Sequence, residues 1–322
     1  PLREPLLNGL VRKASSLPEK ASIAADLFVT LFHLRGTRNM GKGERQLFVL
    51  ALVHLHREFP STVESLVTDI PFYGSFKDLL EIATHKDVDS RLEKTCLGVF
   101  ARQLASDKLA SETSKAVGSV PDISFAGKWA PREGKSYDKR KKVVDAMCEL
   151  LHPSTDMTIH QKRKEYRRSI VELSAQLNVP EVLMSAQKWT EINFKQVPAL
   201  CLNHHRKAFL NEDLETPVRA NEEVTGNRFP TNAARVACRQ HMIDALVKGN
   251  GINADQLFPH TIVNKLARRS SSSMDYLLCA EQWKAIKKSV LASMAEQMEK
   301  MDTEGVPSDR MSSMSLGNLV PL

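Results

Sequence analysis

Apolar residues recur at intervals of three and four positions along most of the chain. The first clear stripes consist of Ile23, Leu27, Leu31 and Leu34, and then of Leu47, Ala51, Leu55 and Phe59. This spacing places apolar side chains on one face of an α-helix. The same periodicity predicts helices at about 61–67, 89–109, 137–151, 157–177, 180–189, 198–211, 232–248, 259–269 and 273–301.

The predicted helices are short and joined by tight loops, which is typical of all-α proteins built from helical repeats. We therefore expect residues 1–301 to form a HEAT-like helical-repeat solenoid or ring, although no repeat of fixed period is visible. Residues 111–136 are richer in Gly, Ser and Pro and predict an irregular surface segment. Residues 302–315 have the composition of a linker, and the apolar residues 316–322 predict a short C-terminal strand.

The composition is that of a globular helical protein. Of the 322 residues, 42% are hydrophobic and 26% are charged, with 14 Gly and 15 Pro. The five cysteines are widely spaced and lack a C-x-x-C pair, which argues against a disulfide framework or a structural zinc site. The sequence has no run of about 18 apolar residues, so no membrane-spanning helix is expected. These features favour a cytoplasmic protein, or a nuclear one.

Positive charge is concentrated in two segments. The net charge of the chain is +7, yet residues 128–142 carry +5 and residues 160–168 carry +4, so the remainder carries −2. Concentrated positive charge attracts a polyanion through counterion release better than a scattered excess does. The candidate RNA-binding residues in the two segments are Lys128, Arg132, Lys139, Arg140, Lys141, Lys162, Arg163, Arg167 and Arg168. The alternative is that each segment is an ordinary solvated helix face.

Residues 36–43 match the phosphate-binding pattern G-x-x-x-x-G-K. Gly43 stands where that pattern needs Ser or Thr to hold magnesium, and a helix rather than a buried strand precedes the segment, so nucleotide hydrolysis is not expected. The basic residues around this flexible backbone are Arg35, Arg38, Lys42 and Arg45. They predict a site that binds a phosphate group without hydrolysing it, and a plain helix-to-helix turn is the alternative.

Other patterns that could carry chemistry are sparse. The sequence contains no H-E-x-x-H, no G-x-S-x-G and no carboxylate pair at a spacing that suggests acid–base catalysis. We therefore expect no enzymatic activity, no cofactor and no metal ligand. His205, Arg206 and Lys207 form a further basic patch. Trp129 lies inside the first basic segment, where its ring could stack on an unpaired base or pack in the core.

Short motifs follow one another in a recognisable order. They are FHLRGTR at 32–38 leading into GKGER at 41–45, FYGSFKDLL at 72–80, KWAPRE at 128–133, KWTEINF at 188–194 and HRKAFL at 205–210. Together they resemble an uncharacterised family found in plants and giant viruses, whose members are similar to TROVE proteins of the Ro type. The resemblance extends over most of residues 23–322.

The resemblance implies a helical-repeat module that curls into a ring or horseshoe and is closed by a C-terminal von Willebrand A domain. Residues 316–322 look like the first strand of that domain, and the sequence ends before the cation-binding motif that follows it in the family. A divalent cation would therefore belong to the missing domain. Ro-type proteins bind small noncoding RNAs, so the resemblance also implies an RNA partner.

The basic segments and the resemblance lead to one functional hypothesis. We expect a non-enzymatic helical scaffold that binds structured or single-stranded RNA through its basic clusters. The alternative is a protein-interaction scaffold that grips a peptide, a protein partner or the von Willebrand A domain.

Overall fold

The chain is all-α in the computed structural model, which describes residues 20–37, 41–212, 226–247, 252–254, 257–267 and 273–303. These residues contain no β-strand, and one isolated antiparallel bridge joins Glu212 to Asn227. The prediction of an all-α fold is thus confirmed, whereas the solenoid or ring arrangement stays a prediction. Arg38, the predicted strand at 316–322 and residues 304–315 of the predicted linker lie outside the described residues. The last helix extends to Thr303, so the prediction that the linker at 302–315 begins at residue 302 is wrong. None of the described helices is long and apolar enough to cross a membrane.

The chain divides into two compact units, residues 1–188 and residues 189–322. The helices of the first unit are α1 (Lys20–Arg35), α2 (Gln46–Glu58), α3 (Pro60–Leu66), α4 (Ile70–Tyr73), α5 (Phe76–Ala83), α6 (Ser90–Val117), α7 (Ala126–Trp129), α8 (Ser136–Lys141), α9 (Val143–Leu151), α10 (Ile159–Gln176) and α11 (Pro180–Ser185). Those of the second unit are α12 (Ala199–Phe209), α13 (Ala233–Val247), α14 (Pro259–Leu266) and α15 (Ser273–Thr303). Single 3-10 turns lie at Val67–Asp69 and Trp189–Glu191.

The core of the first unit is built from the apolar faces that the periodicity predicts. Helix α5 packs on α6, and α9 packs on both α6 and α10. Phe48 and Leu55 of α2, Phe100 of α6 and Tyr166 of α10 are almost completely buried. The short α7 contacts α6 and α10, so the chain on either side of it is held close to this core.

Helix α6 is longer than its sequence pattern predicts. The carboxylate of Asp89 caps its start by accepting hydrogen bonds from the backbone N–H of Arg91 and Leu92, at 2.7 and 3.3 Å. Gly118 ends the helix in the left-handed conformation, with a φ of +75°. The prediction that the irregular segment begins at residue 111 is therefore wrong. Within 111–136 the non-helical stretches are 118–125 and 130–135.

The helix predicted at 137–151 is interrupted at Lys142, whose φ of +49° lies in the left-handed region. Helix α8 ends before this residue and α9 begins after it. The carboxylate of Asp138 stabilises the junction by accepting hydrogen bonds from the backbone N–H of Gly134 and Val144, at 2.8 and 3.1 Å. The interruption ends α8 directly after Lys139, Arg140 and Lys141, so these basic residues lie in its last turn.

The start of α3 also differs from the prediction. The sequence predicts a helix at about 61–67, and Ser61 followed three residues later by Glu64 is the pattern of a capping box. The helix begins one residue earlier, at Pro60, because proline is favoured at the first helical position. Glu64 instead accepts a contact from Arg91 at 2.7 Å, and its Oε1 lies 3.0 Å from His56 Nε2.

The second unit has its own core. Phe194, Phe209 and Met242 are buried, and α14 packs on the first half of α15. Val290 and Met298 fall on one apolar stripe of α15, a pattern that predicts packing in a core. That prediction is wrong for the second half of the helix, since these two side chains are 52% and 43% exposed.

The cysteines form no disulfide, in agreement with their wide spacing in the sequence. Cys201 is partly buried, while Cys96, Cys148, Cys238 and Cys279 are buried, and all five are free. Burial raises the pKa of Cys148 and Cys238 to about 11. A raised pKa lowers the thiolate fraction at neutral pH and therefore the reactivity of the thiol.

Candidate nucleic-acid interface

Arg35 is part of the core and not of a surface. Its side chain is 1% exposed and its Nε donates to Asp78 Oδ2 at 2.8 Å. Asp78 is fully buried and also accepts from Arg45 Nε at 2.8 Å and from the backbone N–H of Ser75 at 3.0 Å. Burial lowers the pKa of Arg35, and the Asp78 carboxylate opposes that shift. The prediction that Arg35 contacts RNA is wrong, because its guanidinium is enclosed with its carboxylate partner.

The described ends of the glycine-rich segment, residues 36–37 and 41–43, lie between α1 and α2 and are joined by backbone hydrogen bonds. Backbone N–H groups of Gly43 and Glu44 donate to the carbonyl oxygens of Gly36 and Leu34, both at 3.1 Å. These two N–H groups are therefore used by the backbone itself and do not form a phosphate cradle. A Cβ on Gly41 would overlap the His33 carbonyl oxygen, which explains the glycine at that position. Of the basic residues predicted here, Lys42 is exposed and Arg45 is partly exposed.

The first basic segment, 128–142, is partly neutralised by carboxylates from other helices. Lys128 Nζ lies 3.0 Å from Glu181 Oε1, on α11. Arg140 Nη1 lies 3.2 Å from Glu81 Oε2 of α5. Lys141 Nζ lies 2.8 Å from Glu93 of α6.

The second basic segment, 160–168, is paired even more completely. Lys162 is buried, with its Nζ against Glu149 of α9, and is therefore not placed to contact RNA. Arg163 forms two hydrogen bonds to Asp145, at 2.7 and 2.8 Å. Arg167 Nη1 contacts Glu133 Oε2 at 2.5 Å, and Arg168 Nε lies 3.5 Å from Glu172.

The two basic segments nevertheless meet in space. Glu133 of the first segment contacts both Arg163 and Arg167 of the second, at 3.5 and 2.5 Å. Tyr166 donates from its hydroxyl to the carbonyl oxygen of Pro131 at 2.9 Å. The twelve basic side chains of 128–142 and 160–168 stand against nine carboxylates, three within the segments and six that contact them, which leaves a net charge of +3.

Four exposed cations of the first segment keep their charge uncompensated. They are Arg132, Lys135, Lys139 and Lys142, which form no ion pair with any residue that the structure describes. All four fall within eleven consecutive residues. We call them the 132–142 surface. The Asp138 carboxylate among them is occupied by backbone N–H groups, as described for the α8–α9 junction.

Trp129 packs against the core of the first unit and is partly buried. Lys77 Nζ and Lys128 Nζ lie 5.9 and 5.6 Å from its ring centroid, within the range of a cation–π contact. This environment favours the packing interpretation of Trp129 over a role as a platform for an unpaired base.

In the second unit, the predicted patch of His205, Arg206 and Lys207 does not form one surface. Arg206 is buried, with its guanidinium 3.3 Å from Glu212 and 3.1 Å from Asp275, so its predicted RNA contact is wrong. Lys265 Nζ lies 3.1 Å from Asp275 as well, which makes a buried ionic network. Lys207 is exposed, and the ring of His205, which is partly buried, lies 4.8 Å from that of His204.

A cleft in the first unit, which the sequence patterns did not predict, brings together residues that are far apart along the chain. Its volume is about 800 Å³, and its lining includes Arg45, Lys86 and Arg140. Arg45 comes from the glycine-rich region and Arg140 from the first basic segment. Lys86 was not predicted, because it follows α5 as an isolated cation and no local pattern marks it.

Comparisons with known proteins reveal similarity to uncharacterised sequences. Residues 90–218 match the family described as "Domain of unknown function (DUF2828)". The chain is 28% identical over 271 residues to "Uncharacterized protein L728" of Acanthamoeba polyphaga mimivirus, an alignment that includes 81% of this chain and 44% of that protein. The chain thus spans less than half the length of this relative. No solved structure matches the chain. These similarities support the expected relation to an uncharacterised family with a giant-virus member.

Proposed function

We propose that the chain is a non-enzymatic helical scaffold that binds RNA through the 132–142 surface. The supporting observation is a group of four exposed cations without carboxylate partners among the described residues. The proposal includes the more distant relation to TROVE proteins and a von Willebrand A domain as a partner. It requires neither a cofactor nor a catalytic residue, and it places the protein in the cytoplasm or the nucleus.

The four cations set the expected strength of the electrostatic contribution. Each phosphate contact to a single strand contributes about −0.7 to the slope of log affinity against log salt, so four contacts give about −3. An increase from about 50 to 200 mM salt would then weaken binding by about 50-fold. Arg140 and Lys141 are 50% and 30% exposed, and surface ion pairs contribute little energy. These two residues are therefore able to exchange their carboxylates for phosphates.

Charge reversal tests the proposal. We expect Lys139→Glu/Lys142→Glu to reduce the salt slope by about 1.4 or more, because two phosphate contacts are lost. The matched control is Lys115→Glu/Lys195→Glu, which reverses two exposed lysines that also lack ion pairs within the described part of the chain. Both variants change the net charge equally, so a difference between them reports position rather than charge.

Fluorescence anisotropy with a labelled single strand of about 20 nucleotides and with an RNA hairpin provides the measurement, repeated over a range of salt concentrations. Circular dichroism verifies that the variants retain their helices. Equal effects of the two double variants, or binding that does not depend on salt, would contradict the proposal.

A second candidate is a protein-interaction scaffold. A pocket of about 190 Å³ in the first unit is lined largely by apolar residues of α6, α9 and α10, including Leu109 and Ile170. Leu109, which lines the pocket, is 66% exposed. Apolar side chains beside such a pocket are typical of peptide-binding surfaces. Selection of peptides from a displayed library tests this candidate, with the Leu109→Asp variant as the comparison. Enriched apolar peptides that bind the variant as well as the unmodified protein would exclude the pocket as their site.

A further inference from the structure

The cleft of the first unit has the size and charge of a small-molecule site. It is lined by residues from the start of α2, from the end of α5 and the residues after it, and from α8, and its volume is about 800 Å³. Sites for small organic ligands commonly have volumes of about 300–1,000 Å³. Three cations, Arg45, Lys86 and Arg140, stand against the two carboxylates Glu44 and Glu81, so the lining carries a net charge of +1.

The Arg45 side chain is oriented by a buried carboxylate. Its Nε donates to Asp78 Oδ1 at 2.8 Å, and the carboxylate of Asp78 is in turn fixed by Arg35 and by the backbone N–H of Ser75. The Arg45 side chain is 38% exposed, and the described residues offer its two Nη atoms no hydrogen bond. The buried carboxylate thus orients a guanidinium whose remaining N–H donors are available at the cleft.

Arg140 is arranged in a similar way on another wall. Its Nη1 donates to Glu81 Oε2 at 3.2 Å and to Thr84 Oγ1 at 3.4 Å, and its guanidinium lies 5.4 Å from the centroid of the Tyr137 ring. Tyr137 donates its hydroxyl to Glu81 Oε1 at 2.8 Å, so both oxygens of that carboxylate are engaged. Arg140 is 50% exposed, and its Nη2 and Nε have no partner in the described part of the chain.

We propose that this cleft binds a small organic phosphate of nucleotide size, with Arg45 and Arg140 contacting the phosphate group and Lys86 adding positive charge. Planar guanidinium groups match phosphate oxygens with two parallel hydrogen bonds. Both arginines are already ordered by carboxylates, so the entropy lost on binding is reduced. None of the four residues of the 132–142 surface lines this cleft, and Arg140 is the one cation that the cleft shares with the wider RNA contact proposed above.

Isothermal titration calorimetry with 5′-AMP, inorganic phosphate and adenosine tests the proposal. We expect AMP to bind, phosphate to bind more weakly and adenosine not to bind. Arg140→Gln should weaken AMP binding by about tenfold or more, because a charge-assisted pair of hydrogen bonds is lost. Arg45→Lys should have a similar effect, with thermal melting used to separate lost affinity from lost stability.

The matched control is Arg91→Gln. Arg91 is 64% exposed, pairs with one carboxylate at 2.7 Å and belongs to the same unit, but it does not line the cleft. We expect the Arg91→Gln variant to bind AMP with an affinity within about twofold of that of the unmodified protein. Lys139→Glu/Lys142→Glu should also retain AMP affinity, so failure of RNA binding and failure of this site are distinguishable.

Three results would overturn the proposal. The first is no detectable heat when AMP is added to about 10 mM, which excludes binding with a millimolar or tighter Kd. The second is equal affinity for adenosine, or an Arg140→Gln variant that binds as well as the unmodified protein. The third is phosphate binding as tight as AMP binding, which would exclude a nucleotide-sized ligand.

Discussion

The buried pair of Arg35 and Asp78 provides the sharpest stability prediction. Asp78 is fully buried and Arg35 is 1% exposed, so Asp78→Asn removes the counter-charge of a guanidinium that solvent cannot reach. Removing one partner of a buried ion pair costs about 3–5 kcal/mol. Asparagine also has an NH₂ group in place of one carboxylate oxygen. In the position of Oδ2 this group cannot accept the hydrogen bond from the backbone N–H of Ser75, and in the position of Oδ1 it points an N–H toward Arg45. We therefore expect the first unit to lose about 3–5 kcal/mol of unfolding free energy.

Urea denaturation followed by circular dichroism measures this loss, provided that the m-value is unchanged. In thermal melts the same loss corresponds to a decrease of about 6–20 °C for a unit of this size. Arg35→Met/Asp78→Leu serves as the matched comparison, because it removes both charges together. Since replacing both partners by apolar residues is often neutral or stabilising, the double variant should be more stable than Asp78→Asn.

A cost below about 1 kcal/mol for Asp78→Asn would refute the reasoning, because that is the value of an exposed pair. Additive costs for Arg35→Met and Asp78→Leu in the double variant would refute it as well. Residues in direct contact should show an interaction energy in a double-mutant cycle of about 0.5–3 kcal/mol.

Two further predictions concern the same unit. Gly74→Ala should cost about 1–3 kcal/mol in urea denaturation, because its Cβ would overlap the Asp78 carboxylate; a neutral result would contradict the packing described around that carboxylate. Burial lowers the pKa of His152 below its usual value of 6.5, so the folded state resists a proton that the unfolded state accepts. The free energy of unfolding should therefore fall as the pH drops below about 6.5. His152→Gln should remove the part of this fall that His152 causes, which a comparison of unfolding at pH 7.5 and 5.5 measures. The same pH dependence in the variant and the unmodified protein would contradict the prediction.

The sequence predicted the helices better than it predicted their ends. Apolar spacing places α2 and α10 within a few residues of their observed bounds, because tertiary packing uses the faces that the periodicity marks. Helix α6 extends to Val117, since a polar run can continue a helix that is already anchored by its earlier turns. The break at Lys142 was not predictable, because a lysine in the left-handed conformation has no local signature.

The candidate site was predicted less well, for a physical reason. Counting charge along contiguous segments omits carboxylates that arrive from elsewhere in the chain. Glu181 reaches Lys128 across 53 positions, and Asp78 reaches Arg35 across 43. Only the folded chain shows which cations are compensated. The cleft between Arg45 and Arg140 depends on long-range contacts as well, such as the one between Arg140 and Glu81, which no local pattern marks.

The ionic network of the second unit limits how the protein can be shortened. Asp275, in the first turn of α15, contacts both Arg206 and Lys265. Trp283 and Ile286 of the same helix pack against the apolar cluster that includes Leu257 and Cys279. A fragment that stops before Ser273 would expose the remaining residues of this cluster. It would also leave Arg206 and Lys265 without the Asp275 carboxylate that they share. Truncations intended for crystallisation or binding assays should therefore retain α15 at least through Ile286.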